Sequence, residues 1–480
     1  MNLAVMLRFL SCKRAMIGLY LLCALPLGMF TAMVTPPGQV PDEPAHMARA
    51  DGLLHGAILA VRKSPDLTGV MVNSGLFQVS FGKMTAIDGR AVETLSDYYA
   101  LRNLPESPVR IFAGIPNTGT YFPAAYLPAA FGLALGLAIK ASPFICMIIA
   151  RLCMLAAVLA LGSLALRLCA YGEALLLCVL LMPMTLFLAG SLNEDGVLIG
   201  LACLSAAAMT RDLPGEREFR WLALLPLVLV LGSKPPYLPL LGLALLPLTA
   251  RGFWRRVRDM VLAAAPVLVW VALVAVLVAV PFGMPQYHPG PLFAGDHAVF
   301  LNQTDPRANL DILLAKPARF ASLPLGLLES SGQMLCVEMI GVLGLLDLIL
   351  PPRVYLAWGV ALIVALLGLV LADRKDADVR DQATPNAPLQ SVYVFLLLAL
   401  SVWAVAISLY LSWTPVGGTM IQGVQGRYFL VLLPFLALAV PHWRNGLNIP
   451  AILPALPAIA LGIYDLGYVP LKIVAFYYMY

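Results

Sequence analysis

The chain is predicted to be an all-α polytopic membrane protein, and three observations say so. Of its 480 residues, 61% are hydrophobic and only 12% charged, a composition outside the range of soluble domains. Apolar runs of about 15 to 22 residues recur along the chain, enough for helices to cross a hydrocarbon core of about 30 Å. Between the runs, short loops rich in lysine and arginine alternate with short loops that have almost none, the asymmetry that sets orientation.

The runs fall near 15–34, 146–166, 172–190, 196–210, 221–232, 236–250, 260–281, 353–372, 391–411, 427–441 and 449–466, which makes about eleven transmembrane helices. The two around "LGSKPPYLPL" are short, which predicts tilted or broken helices whose freed backbone groups face protein or a wet cavity. The first run follows Arg8, Lys13 and Arg14 and has no clear small-x-small cleavage site. It is read as a retained anchor with the N-terminus in the cytoplasm.

The stretch "AAYLPAAFGLALGLAIK" is also apolar, but counting it as a crossing would put "RDLPGEREFR" and "RGFWRRVRD" outside. The positive-inside rule therefore makes it a re-entrant or interfacial helix. The segment "LPLGLLESSGQMLCVEMIGVLGLLDLILPP" carries Glu329, Glu338 and Asp347, too many acids for a lipid-facing span. It goes to the outer surface. A single domain, 1–480, results, with a large first periplasmic loop at 35–145 and a second at 282–352, and with the tyrosine-rich C-terminus outside.

Several function classes drop out. The net charge of +5 sits in short topogenic clusters, so no nucleic-acid partner is expected. Cys23, Cys146, Cys153, Cys178 and Cys203 lie inside apolar runs without CxxC or Cys/His spacing, so neither disulfide framework nor metal site is expected. His288 and His297 also lack ligand spacing. No Walker, GxGxxG or GxSxG motif supports nucleotide or acyl chemistry.

With this threading, "PDEPAH", "SLNEDG", "SKPPY" and "GVQGRYF" converge on the outer face. In the first, Pro41 suits a first helical turn and Asp42 and Glu43 its positive end. A helix from there puts Asp42, His46 and Arg49 on one face. Capping with solvated charges is the plain alternative. Paired acids beside a histidine at the mouth of a bundle point instead to a general base, with Asp42 better facing, Glu43 able to share the role and His46 orienting it. The "SLNEDG" hairpin sends Asn193, Glu194 and Asp195 toward the same outer cavity, unless it is a plain polar turn. Lys234 stands alone in an outer loop, where snorkelling competes with a phosphate at headgroup level. Arg427 is flanked by glycines that let a ligand approach the backbone and by the donors Gln422, Gln425 and Tyr428. Lys234 and Arg427 together could clamp an anionic headgroup, while Arg151 pairs with one of the acids or joins the clamp.

"PPGQVPDEPAHMARA", "NTGTYFPAAYLPAAFG", the arginine of "IIARL", the Asp195 hairpin, "KPPYLPLL" and "WTPVGGTMIQGVQGRYFLVLLPF" resemble, in order, the bacterial multi-pass membrane family known as domain of unknown function 2142. That family in turn resembles the glycosyltransferase C superfamily. The resemblance implies a catalytic acid in the first outer loop, on Asp42 or Glu43, and a second acidic hairpin at Asp195. It also implies donor-phosphate contacts on Lys234 and Arg427. "LNE" precedes Asp195 where that pattern has serine or proline, so the hairpin departs from it.

The expected function is transfer of a sugar from a polyprenyl-phosphate donor to a cell-envelope glycan. The site would lie on the periplasmic face of the bacterial inner membrane, with the bilayer, the polyprenyl lipid and the glycan acceptor as partners. No cofactor is required, and a divalent cation is compatible with the chemistry. The competing readings are a flippase or exporter of lipid-linked glycans and a non-catalytic binding subunit.

Overall fold

The computed structural model describes residues 11–64, 67–82, 95–211, 218–248, 252–280, 304–371, 387–440 and 449–479. His288 and His297 lie outside them. Among the described residues, six helices are long and apolar enough to cross a membrane. Five of the eleven expected crossings are shorter or interrupted.

Helix α1 (Lys13–Val34) leads to α2 (Glu43–Leu54) and then to strands β1 (Val61–Ser64) and β2 (Leu67–Asn73). After α3 (Ser74–Phe81) and α4 (Leu95–Arg102), β3 (Arg110–Gly114) completes an antiparallel β1–β2–β3 sheet, with Gly69 opposite Gly114 and Asn73 opposite Arg110. This sheet, together with a two-stranded ribbon later in the chain, departs from an all-α fold. The β-rich "LTGVMVN" pairs because the loop folds over α2: Val70 and Val72 bury one strand face with Ala48 of α2 and Trp270.

The 12-residue α5 (Leu127–Ala138) spans about 18 Å, too short to cross alone. It doubles back along the first half of α6 (Pro143–Leu168). A Cβ at Gly132 would lie 2.5 Å from Ala150 Cα, and Gly136 faces Cys146 in the same register. The helix is thus one arm of a helical hairpin.

The run 172–190 is divided at Pro183 into α7 (Glu173–Leu181) and α8 (Pro183–Ala189), and α9 (Asp195–Met209) follows the polar hairpin. Then come α10 (Glu218–Ser233), a 3-10 segment at Pro235–Leu245, and the long α11 (Phe253–Leu277). The break after α10 agrees with the prolines of "SKPPYLP", which remove backbone donors and tighten the helix.

Helices α12 (Pro306–Ala315) and α13 (Arg319–Gly341) lead to a two-stranded ribbon, β4 (Val342–Leu343) and β5 (Leu348–Ile349). Two long helices, α14 (Pro352–Leu371) and α15 (Ala387–Ser412), precede short 3-10 turns at Gly426–Phe429 and Leu433–Phe435. The four-residue α16 (Leu436–Ala439) and the long α17 (Leu456–Tyr477) close the chain.

The two ends of the bundle are chemically distinct. At one, Lys13 pairs with Glu173 and donates to the Cys169 carbonyl at 2.7 Å. At the other, the Tyr478 hydroxyl donates to the Val34 carbonyl at 2.7 Å. The C-terminal helix therefore finishes beside the end of α1, where the first loop begins.

Candidate functional site

The residues of "PDEPAH" separate on entering the fold. Asp42 is the N-cap of α2 in the left-handed conformation, φ 61°, and its carbonyl accepts from the backbone of Ala45 and His46. A non-glycine residue there carries backbone strain. The kink turns Asp42 outward, with 46% of its side chain exposed, and leaves Glu43 wholly buried.

Glu43 forms a bidentate pair with Arg151, at 2.8 Å from Nε and 2.6 Å from Nη2, and also accepts from the Leu192 backbone at 3.3 Å. Arg151 spends its remaining donors on the carbonyls of Ala32 (3.1 Å), Thr35 (2.7 Å) and Pro36 (3.4 Å). Of the two expected roles, Arg151 takes the one of pairing with an acid. Neither residue has spare valence for a donor phosphate or an acceptor proton, so both serve to lock α1, α2 and α6 together.

His46 does not orient Asp42. Its Nδ1 lies 2.8 Å from the Tyr126 hydroxyl, the two rings stack, and burial pulls its pKa down to about 4. The imidazole is therefore neutral near pH 7. Arg49, one helical step on, is also turned away from Asp42 and donates to the carbonyls of Ala57 (2.9 Å), Ile58 (2.7 Å) and Tyr121 (3.2 Å).

The other three motifs meet Asp42. Arg427 Nη2 lies 3.1 Å from Asp42 Oδ2, and its Nε lies 3.5 Å from Asp195 Oδ2. Lys234 Nζ pairs with Asp195 Oδ1 and stands 4.8 Å from the Tyr428 ring centre. The Tyr237 hydroxyl donates to the Tyr428 carbonyl at 2.6 Å, which holds this wall in place. Four chain segments thus bring two cations and two carboxylates together, and Arg427 is only 2% exposed. Its Nε and Nη1, together with Gln425 Oε1, are buried without hydrogen-bond partners.

The glycine beside Arg427 has another purpose than ligand access. A Cβ on Gly426 would come within 2.0 Å of the Leu335 carbonyl, so the turn lies directly on the α13 backbone. There Glu338 accepts from the Gly426 N–H at 2.7 Å, and burial raises its pKa. Asn193 is likewise structural: its Oδ1 accepts from the Asp195 N–H at 2.8 Å and its amide donates to the Pro41 carbonyl at 3.2 Å. It ties the hairpin to the start of α2.

Sequence reasoning sent Glu194 toward the outer cavity without giving it a chemical role, and passed over Tyr121 and Tyr126. Glu194 is wholly buried, and burial pushes its pKa up to about 8 against the pull of Lys234 and of the Ser233 hydroxyl beside it. Burial likewise raises both phenols, so they remain neutral donors. The available signal was "NTGTYFPAAY", whose aromatic spacing reads equally well as an ordinary turn.

Among the described residues no group of three or more His, Cys, Asp or Glu side chains could hold a metal ion. The family described as "Predicted membrane protein (DUF2142)" matches residues 5–436. The chain belongs to this family. No curated protein and no solved structure matches it. In this DUF2142 protein, then, chemistry has to be read from the site itself.

Proposed function

We propose that this DUF2142 protein is an inner-membrane glycosyltransferase of glycosyltransferase C type, transferring a sugar from a polyprenyl phosphate to an envelope glycan on the periplasmic face. The observation that carries the reading is the Arg427 guanidinium. It is buried, its Nη1 makes no hydrogen bond and its Nε reaches Asp195 only at 3.5 Å, and it stands beside Lys234 and borders the half-exposed Asp42. A phosphate at this pair gains charge-assisted hydrogen bonds at the edge of an apolar bundle, where a lipid tail can remain in the membrane.

In this mechanism the donor's phosphate takes Arg427 and frees the Asp42 carboxylate. An acceptor hydroxyl attacks the anomeric carbon, its proton passes to Asp42, and the carbon–oxygen bond to phosphate breaks. The polyprenyl phosphate leaves with the bond's electron pair, its added charge held by Lys234 and Arg427.

The test separates binding from chemistry in purified protein. Arg427→Gln and Lys234→Gln weaken binding of a polyprenyl-phosphate sugar by about 1.5–3 kcal/mol, the worth of a charge-assisted hydrogen bond. Asp42→Asn keeps binding but slows release of polyprenyl phosphate on the order of 10²-fold in membranes that contain the acceptor. Unchanged binding in both cation variants overturns the clamp. Unchanged turnover in Asp42→Asn leaves a binding subunit.

One observation favours the flippase or exporter alternative. Asp465 lies within α17, wholly buried, with Oδ2 accepting from Trp358 Nε1 at 3.0 Å and Oδ1 unpartnered. An ionisable group within a span is a common mark of transport. Asp465→Asn abolishes activity under that reading and leaves sugar transfer intact under ours.

A further inference from the structure

Glu194 is a buried acid of this region that the mechanism does not use and that holds no cation of its own among the described residues. Each of its neighbours is committed: Glu43 to Arg151, Asp42 to Arg427, and Asp195 to both Lys234 and Arg427. Glu194 is 0% exposed, its carboxylate is approached by the buried Ser233 hydroxyl, and no cation among the described residues forms an ion pair with it. The charged groups that act on it are Lys234 from the end of α10, Asp195 from its own hairpin and Arg49 from α2. The phenols of Tyr121, Tyr126 and Tyr237 also face it.

The charges constrain what this pocket can hold. Lys234, Arg427 and Arg49 supply three positive charges, and Asp42 and Asp195 supply two negative ones. A singly charged anion on the cation pair balances the group if Glu194 is neutral. An ionised Glu194 would add a fourth negative charge where little water can screen it. The anion and the Glu194 carboxylate are rivals for Lys234.

We propose that Glu194 carries a proton whenever an anion occupies the Lys234–Arg427 pair, so that anion binding at this site is proton-linked through Glu194. The inference rests on the anion-clamp half of the reading above and requires no catalysis. Binding to the protonated form is simple addition. Binding to the ionised form takes up one proton from solvent as the carboxylate becomes a carboxylic acid, which can then donate its O–H into the site. Burial raises Glu194 to about 8 in the free protein, so affinity is level below that pH and falls above it.

The experiment uses full-length protein in nanodiscs and a farnesyl methyl phosphodiester, which keeps one negative charge throughout the titration. Its Kd is measured from about pH 6 to about pH 10. Wild type is expected to hold a constant Kd up to about pH 8 and then to weaken by up to tenfold per pH unit. Glu194→Gln is expected to bind with no such fall below the range where lysine titrates.

A level wild-type profile, or the same fall in Glu194→Gln, overturns the inference while leaving the clamp intact. Absence of binding at every pH removes the clamp and the inference together. Infrared spectra of wild type supply a measurement that does not depend on the variant folding. The carbonyl stretch of a buried carboxylic acid should persist above pH 8 with the probe bound and be lost without it. Loss of that band in the bound state also overturns the inference.

Discussion

Two ion clusters lie side by side at one end of this bundle, each built on one of the adjacent acids Asp42 and Glu43. In the Glu43–Arg151 cluster both partners are fully buried, and every guanidinium nitrogen of Arg151 donates to an acceptor. In the Asp42–Arg427–Asp195–Lys234 cluster, Arg427 is as buried but its Nη1 makes no hydrogen bond and its Nε reaches Asp195 only at 3.5 Å, and Asp42 opens to solvent. A saturated buried pair can only hold elements in place, because any exchange of partner leaves a bare charge. An unsaturated pair with one exposed member can trade a carboxylate for another anion. Burial and charge do not distinguish scaffold from site here; unfilled valence does.

The largest expected effect breaks the saturated side. Arg151→Met leaves Glu43 buried with one backbone donor, and it should destabilise the protein by about 3–5 kcal/mol, the cost of removing one partner from a buried pair. The readout is a fall in melting temperature in detergent, or loss of monodisperse protein. Arg427→Gln should cost only about 1–2 kcal/mol, since Asp195 keeps Lys234 and Asp42 can hydrate. Equal losses in the two variants would erase the distinction between the clusters.

A second test uses His46, which packs on Tyr126 at the back of the unsaturated cluster. Its folded pKa of about 4 lies below the ordinary histidine value near 6.5. The stability this contributes is fully present above pH 6.5 and is lost as pH falls toward 4, about 3 kcal/mol over that window. Melting temperature measured against pH should show the loss, and His46→Gln should flatten it. An unaltered acid limb in His46→Gln would assign the transition to the carboxylates instead.

The smallest effect sharpens the boundary between the clusters. Asn193→Ala removes the cap on Asp195 and the tie to Pro41, a cost of about 1 kcal/mol. Because it frees Asp195 to move relative to Asp42, it should also weaken anion binding, although Asn193 would touch no ligand. Unchanged anion binding would show that the pair positions itself without the hairpin.

By itself, the sequence determined the membrane class and the short and broken helices around the Lys234 prolines. These follow from local hydropathy and proline chemistry. It also marked Asp42, Asp195, Lys234 and Arg427 as exceptional polar residues at span ends, and these are the four that meet. Tertiary structure alone decided which of the adjacent acids is sealed. One left-handed residue at position 42 sends the two carboxylates to different partners, and no composition or spacing records a backbone angle. The roles of Gly426, Asn193 and Arg151 depended on what packs against them from remote segments. So did Glu194, one residue from an acid the sequence singled out, whose burial without a cation of its own is visible only once every neighbour is in place.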